Sequence, residues 1–241
     1  MKGKNCHGKK ELECLNTLKN IMSRFESGAR FFYLAAPNEK SSEFPDFIFE
    51  DGFIEHFQIS SSKETKKGSD FNIAKNDFNK DMKEKFDKNK NEWLASDFQS
   101  NTLGVKIYET IFDDGSYEFY IKSFKKNFDK HITSLRKYNG EKSIGIFLVE
   151  FLGGKITILE NNVFKEFYKL SYDKELLEYI YQFKDELKYV VFTDNEHYDI
   201  VELHNIPTIV QTIPQGITFG IGGYITTNST LFLDIDIHRE K

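Results

Sequence analysis

The run Phe44-Pro45-Asp46-Phe47-Ile48-Phe49-Glu50-Asp51-Gly52-Phe53-Ile54-Glu55-His56-Phe57-Gln58-Ile59 decides how the rest of the chain is read. Two short strands flank Asp51-Gly52, a dipeptide that favours the two-residue turn of a β-hairpin. Such a turn sets register: with Glu50 opposite Phe53, Phe49 faces Ile54, Ile48 faces Glu55, Phe47 faces His56 and Asp46 faces Phe57. Side chains two apart share a face, so Asp46, Ile48, Glu55 and Phe57 are expected together, with His56 on the other side. Asp46 and Glu55 are then diagonal neighbours, roughly 7–8 Å apart. Two carboxylates walled by Phe and Ile repel each other and lose hydration, and a divalent cation relieves both costs.

Upstream, Leu12, Leu15, Leu18, Ile21, Met22 and Phe25 recur at helical spacing, so 9–27 is expected as a helix ended by Gly28. Arg30 to Ala36 reads as a short strand or as the tail of that helix. Downstream, the polar run 60–69 is an exposed loop, and 70–98 carries the stripe of a strongly charged amphipathic helix. Val105–Ile111 and Tyr117–Ile121 are expected to form a second hairpin across Asp113-Asp114-Gly115. Phe124, Phe128, Ile132, Leu135 and Tyr138 mark a helix. Ser143–Leu152 is apolar enough for a central strand covered on both faces. A helix is expected around 173–188, a buried strand at 189–193, and β structure from Pro207 onward.

The order helix, strand ending near Pro45-Asp46, turn, strand carrying Glu55, further strand, helix, strand resembles the PD-(D/E)XK nuclease superfamily over residues 9–152 and on towards 193. The resemblance implies an α/β fold of restriction-endonuclease type, a mixed central sheet flanked by helices. The expected organisation is one domain over 1–241, with a charged helical insertion at about 63–100 and a β-rich tail at about 205–241. It also implies a metal-dependent phosphodiesterase acting on DNA or RNA. Asp46 and Glu55 would ligate Mg²⁺ or Mn²⁺, with Glu13 of the first helix as a third carboxylate and Glu11 as the other option. The motif lysine belongs two residues after Glu55, and that position holds Phe57. Gln58 takes over as the catalytic polar group if a β-bulge near His56 turns it inward. Otherwise the positive charge comes from Lys63, Lys66, Lys67, Lys126 or Lys130. The alternative is a catalytically inactive nuclease-like domain that binds nucleic acid or a protein partner.

Composition bounds the rest. Aromatic residues make up 15% of the 241, with 24 Phe and 12 Tyr, which excludes a disordered chain. No apolar stretch reaches the ~18 residues of a membrane span, and the two cysteines, Cys6 and Cys14, cannot build a disulfide framework. A cytoplasmic protein is expected, and assembly as a homodimer stays open. The net charge of −5 is unevenly spread. Residues 1–10 hold four lysines and no acid, 63–90 hold nine lysines and six acids, and 170–241 hold twelve acids against five basic residues. A nucleic-acid partner would therefore meet the N-terminal half.

Other constellations say less. His56 is expected to be a buried histidine satisfied by a neighbour, and His131 to approach phosphate or cover the sheet. Asp234, Asp236 and His238 alternate along a strand in the manner of a solvent face. His197 and His204 lack partners at ligand spacing. Gly216–Gly223 has no following helix and is no dinucleotide fingerprint.

Overall fold

The computed structural model describes residues 9–23, 30–39, 43–65, 68–69, 102–112, 115–152, 155–222 and 224–234, with single positions at 73, 77, 80, 81, 83, 84, 87 and 88. In chain order, α1 (Lys9–Ser23) and α2 (Arg30–Leu34) precede β1 (Ala36–Pro37), β2 (Phe47–Phe49), β3 (Gly52–Ser60), β4 (Glu64–Thr65), β5 (Gly68–Ser69) and β6 (Thr102–Phe112). Then come α3 (Tyr117–Lys137), β7 (Ile144–Leu152), β8 (Lys155–Glu160), β9 (Val163–Phe167), α4 (Lys174–Tyr181), β10 (Tyr189–Thr193), β11 (Tyr198–Glu202), α5 (Ile206–Thr212), β12 (Ile217–Gly222) and β13 (Tyr224–Asp234). Among the described residues no helix is long and apolar enough to cross a membrane.

The chain divides into two compact units, 1–61 with 115–222, and 62–114 with 223–241. The second unit takes in the stretch expected as an insertion. In it β6 pairs antiparallel with β13 along its whole length, from Thr102 opposite Asp234 to Phe112 opposite Tyr224. The hairpin expected between 105–111 and 117–121 does not form. Tyr117–Ile121 is instead the first turn and more of α3, because Ser116 accepts from Phe119 N at 3.1 Å and caps the helix start. A second correction lies at 207–213, which is α5 rather than strand, with Pro207 in the first turn where its missing N–H costs nothing.

The first unit is a mixed α/β layer structure. Its six-stranded sheet runs β1-β2-β3-β7-β10-β11, with β3, β7 and β10 mutually parallel and the remaining pairs antiparallel. A separate three-stranded sheet, β12-β8-β9, lies in the same unit. Alternation along the parallel strands makes two cores. Phe53, Phe57, Phe147 and Val149 pack with Phe124, Phe128, Ile132 and Leu135 of α3. Ile54, Ile146, Leu148 and Val191 pack with Cys14, Leu15, Leu18 and Met22 of α1. A strand covered on both faces must be apolar at consecutive positions, and β7 is.

The hairpin register differs from the expected one. Phe49 pairs with Gly52, Ile48 with Phe53 and Phe47 with Ile54, so Glu50 and Asp51 make the turn. Gly52 belongs to the strand because β7 leaves no room for a side chain there: a Cβ would sit 2.0 Å from the Ile144 carbonyl oxygen. The slip is two residues, which keeps every side chain on its expected face. It also brings Asp46, just outside β2, directly opposite Glu55.

Candidate metal centre

β2 leaves β3 after the Phe47–Ile54 pair, while β3 stays paired with β7 to Ser60. The side chains of Asp46 and Glu55 take over where the ladder stops. Asp46 N–H donates to Glu55 Oε2 at 3.1 Å, and His56 N–H donates to Asp46 Oδ2 at 2.8 Å. Each carboxyl thus bonds to the other residue's strand, which fixes both in place. Glu55 is 6% exposed. The Asn38 N–H holds the Asp46 carbonyl at 2.8 Å from the other side.

Burial, with the charge of Glu55 adding to it, pushes Asp46 up to about 7. Burial likewise pushes Glu55 up to about 7, against hydrogen bonds from Asp46 that pull the other way. His131, entering from α3, is driven down to about 4 by burial and by the charge of Lys130. Its Nδ1 lies 2.6 Å from Glu55 Oε1. An ion pair at that distance would require two buried charges. Desolvation acts against both, so burial favours a contact between two neutral groups.

The lysine position is filled as a packing position. Phe57 is 5% exposed and lies edge-on to Phe128 and Phe147. The His131 ring stacks on it with centroids 4.6 Å apart. The group placed beside the acids is therefore a histidine from the following helix.

Gln58, expected to turn inward, does not join the pair. The β3–β7 ladder is unbroken from Gly52 to Ser60, so no bulge rotates it, and Gln58 Nε2 donates to Glu150 Oε2 at 2.7 Å on the opposite face. Glu13 does not join it either. Its side chain is 65% exposed and lies 3.8 Å from Lys9. Glu11, on the other side of α1, is the helix acid whose charge raises both Asp46 and Glu55. The periodicity of α1 already separates the two, since Glu11 falls beside Leu15 and Leu18 in the heptad sense and Glu13 does not.

The opposite face carries a second polar group of residues. Glu150 Oε2 meets His56 Nε2 at 3.0 Å as well as Gln58, and Glu150 Oε1 accepts from Asn195 Nδ2 at 2.7 Å. Burial works to raise Glu150, but its hydrogen bonds with His56, Asn195 and Gln58 outweigh it and hold the carboxyl below its usual range. Cys14, His56 and Glu150 bring one ligand atom each to within 4.8 Å of the others, all three buried. His56 is thus a buried histidine with a carboxylate partner, as its neighbours in sequence suggest. Glu150 had one sequence signal, a lone acid inside Ile144–Leu152. Cys14 and Asn195 had none.

A cleft of about 700 Å³ is lined among others by Asn38, Phe44, Ile48, Ser134, Lys137 and Tyr138, and by none of Asp46, Glu55 and His131. Asn38 bonds to Asp46, Ile48 follows it on β2, and Ser134 lies one turn beyond His131. Of the other sequence candidates, Lys63 is exposed and Asp234 ends β13, while Asp236, His238, Lys66, Lys67 and the basic residues before Lys9 lie outside the described residues. His197 sits 3.3 Å from Asp194 rather than in a cluster of ligands. Comparison of the chain with family models, curated proteins and solved structures gives no match.

Proposed function

We propose that the chain is a metal-dependent phosphodiesterase of restriction-endonuclease-like architecture, acting on DNA or RNA. The observation that carries the reading is the pair of desolvated carboxyls, Asp46 and Glu55, held at the point where β2 parts from β3. The donor set fits a hard divalent cation. Both carboxyls are oxygen ligands, both are unfavourable as bare anions at neutral pH, and Glu11 adds charge of the same sign. Mg²⁺ or Mn²⁺ uses one or two carboxylates and keeps several waters. When bound, such an ion lowers the pKa of a coordinated water and steadies charge on a phosphodiester.

The chain's own residues supply the rest. Asp46 and Glu55 would hold the ion as carboxylates, their protons passing to solvent, and His131 Nδ1, 2.6 Å from Glu55 Oε1, would orient that carboxyl. Phe57 keeps that imidazole in place by stacking. Lys137, on the cleft wall, offers a charge for substrate phosphate. The basic N-terminal half of the sequence supports a polyanionic substrate, and a reducing cytoplasmic setting accords with two cysteines in 241 residues.

Phe57 favours the second reading, a nuclease-like domain that binds nucleic acid or a protein without cutting, since it leaves no ammonium two residues beyond Glu55. A cleavage assay on linear, circular and single-stranded nucleic acid in Mg²⁺ or Mn²⁺ separates the two. Cleavage abolished by Asp46→Asn and by Glu55→Gln is expected. Cleavage persisting in both variants removes these residues from the reaction, and salt-sensitive binding with no cleavage in any sample supports the silent domain.

A further inference from the structure

We propose that Cys14, His56 and Glu150 form a second metal site, selective for a borderline-soft divalent transition ion of the Zn²⁺ class and separate from the Asp46–Glu55 pair. Three elements converge on it. α1 supplies Cys14, β3 supplies His56 and β7 supplies Glu150, and their ligand atoms lie within 4.8 Å of one another. Thiolate, imidazole and carboxylate are the donor types that Zn²⁺ accepts and that Mg²⁺ does not share.

The surroundings have the form of an outer shell. Gln58 and Asn195 each donate to Glu150 at 2.7 Å, one to each carboxylate oxygen, fixing its orientation without neutralising it. Asn195 reaches this place from a left-handed backbone conformation, φ 68°, in the turn after β10. Amides that hold a ligating carboxylate in this way tune metal affinity. The site also lies towards the carboxyl ends of the parallel strands, since Gln58 pairs with Glu150 and Glu150 with Thr193 in register. In open α/β sheets that is the end where ligands collect.

Charge balance favours occupation. On binding, the Cys14 S–H releases its proton to solvent as the sulfur–metal bond forms. His56 would contribute the lone pair of one ring nitrogen and Glu150 a carboxylate oxygen. Thiolate, carboxylate and a dication sum to zero charge, so the loaded site buries no net charge. The ion would tie α1 to the middle of the sheet. This inference does not depend on the phosphodiesterase reading.

Co²⁺ titration of the reduced, chelator-treated full chain tests it. A saturable one-to-one spectrum with a thiolate-to-cobalt charge-transfer band is expected, displaced by Zn²⁺ and not by Mg²⁺. The band should vanish in Cys14→Ala, remain in Asp46→Asn, and require ~10–100-fold more Co²⁺ in Gln58→Met. A folded wild type without the band overturns the proposal. So does a band that survives in Cys14→Ala, which would place the thiolate at Cys6. Should Cys14→Ala fail to fold, Gln58→Met decides, and undiminished Co²⁺ affinity in that variant also overturns it.

Discussion

Glu55 and His131 stand 2.6 Å apart where burial makes a charge on either residue costly. The stability consequence has a definite sign. Between about pH 4.5 and 6.5, the ordinary values for Glu and His, the folded chain keeps protons on Asp46 and Glu55 and leaves His131 bare. The unfolded chain in that window has released both carboxyl protons and holds one on the histidine. Folding therefore binds one proton net, two less one. Stability should fall as pH rises, by roughly 1.4 kcal/mol per unit. Asp46→Asn removes one of the two folded-state protons and should flatten the slope. It should also stabilise the metal-free protein above neutrality by about 1–3 kcal/mol. Urea denaturation of both proteins across this range checks the slope and the offset, and a wild type that gains stability with pH here contradicts the assignment.

At the scale of single elements, two backbone details carry the architecture around the site. Gly52 allows β3 to lie against β7 at its first residue, with only 2.0 Å between a would-be Cβ and the Ile144 oxygen. Gly52→Ala must push the strands apart, at a cost of roughly 3 kcal/mol or more. Because the hairpin turn is anchored there too, through Ile144 N–H to Asp51 C=O at 2.9 Å, the same change should weaken Mg²⁺ binding. Calorimetry of the variant reads both effects. The start of α3 rests on Ser116. Ser116→Ala leaves the Phe119 N–H without its acceptor and should cost about 1 kcal/mol, measurable as a lowered denaturation midpoint with an unchanged m-value.

For the whole molecule, the two proposed metal sites predict two independent linkages. A cation that binds only the folded chain stabilises it by ~2.7 kcal/mol at a hundredfold excess over its dissociation constant. Mg²⁺ should raise the unfolding temperature in proportion to log concentration, and the double variant Asp46→Asn/Glu55→Gln should lose that response. A Zn²⁺-dependent rise should persist in the double variant. Thermal scans at several concentrations of each ion distinguish them, and a Mg²⁺ response unchanged in the double variant would move the hard-cation site elsewhere.

Much of this protein is legible as pattern. Alternation at 46–59 marks a hairpin and the face that carries Asp46 and Glu55, and this survives the observed two-residue slip because side-chain orientation repeats every second residue. The apolar run of β7 marks a strand covered on both sides, and the stripes of α1 and α3 mark the helices that cover it. What pattern could not decide were matters of distance between segments far apart in sequence. The exact pairing depended on how closely β7 approaches Gly52, and Tyr117–Ile121 became helix because Ser116 caps it, overriding strand-like composition. His131 meets Glu55 and Cys14 meets Glu150 only when helices are laid on the sheet. Local periodicity records which face a side chain occupies; which residue waits on the other side of that face is set by packing.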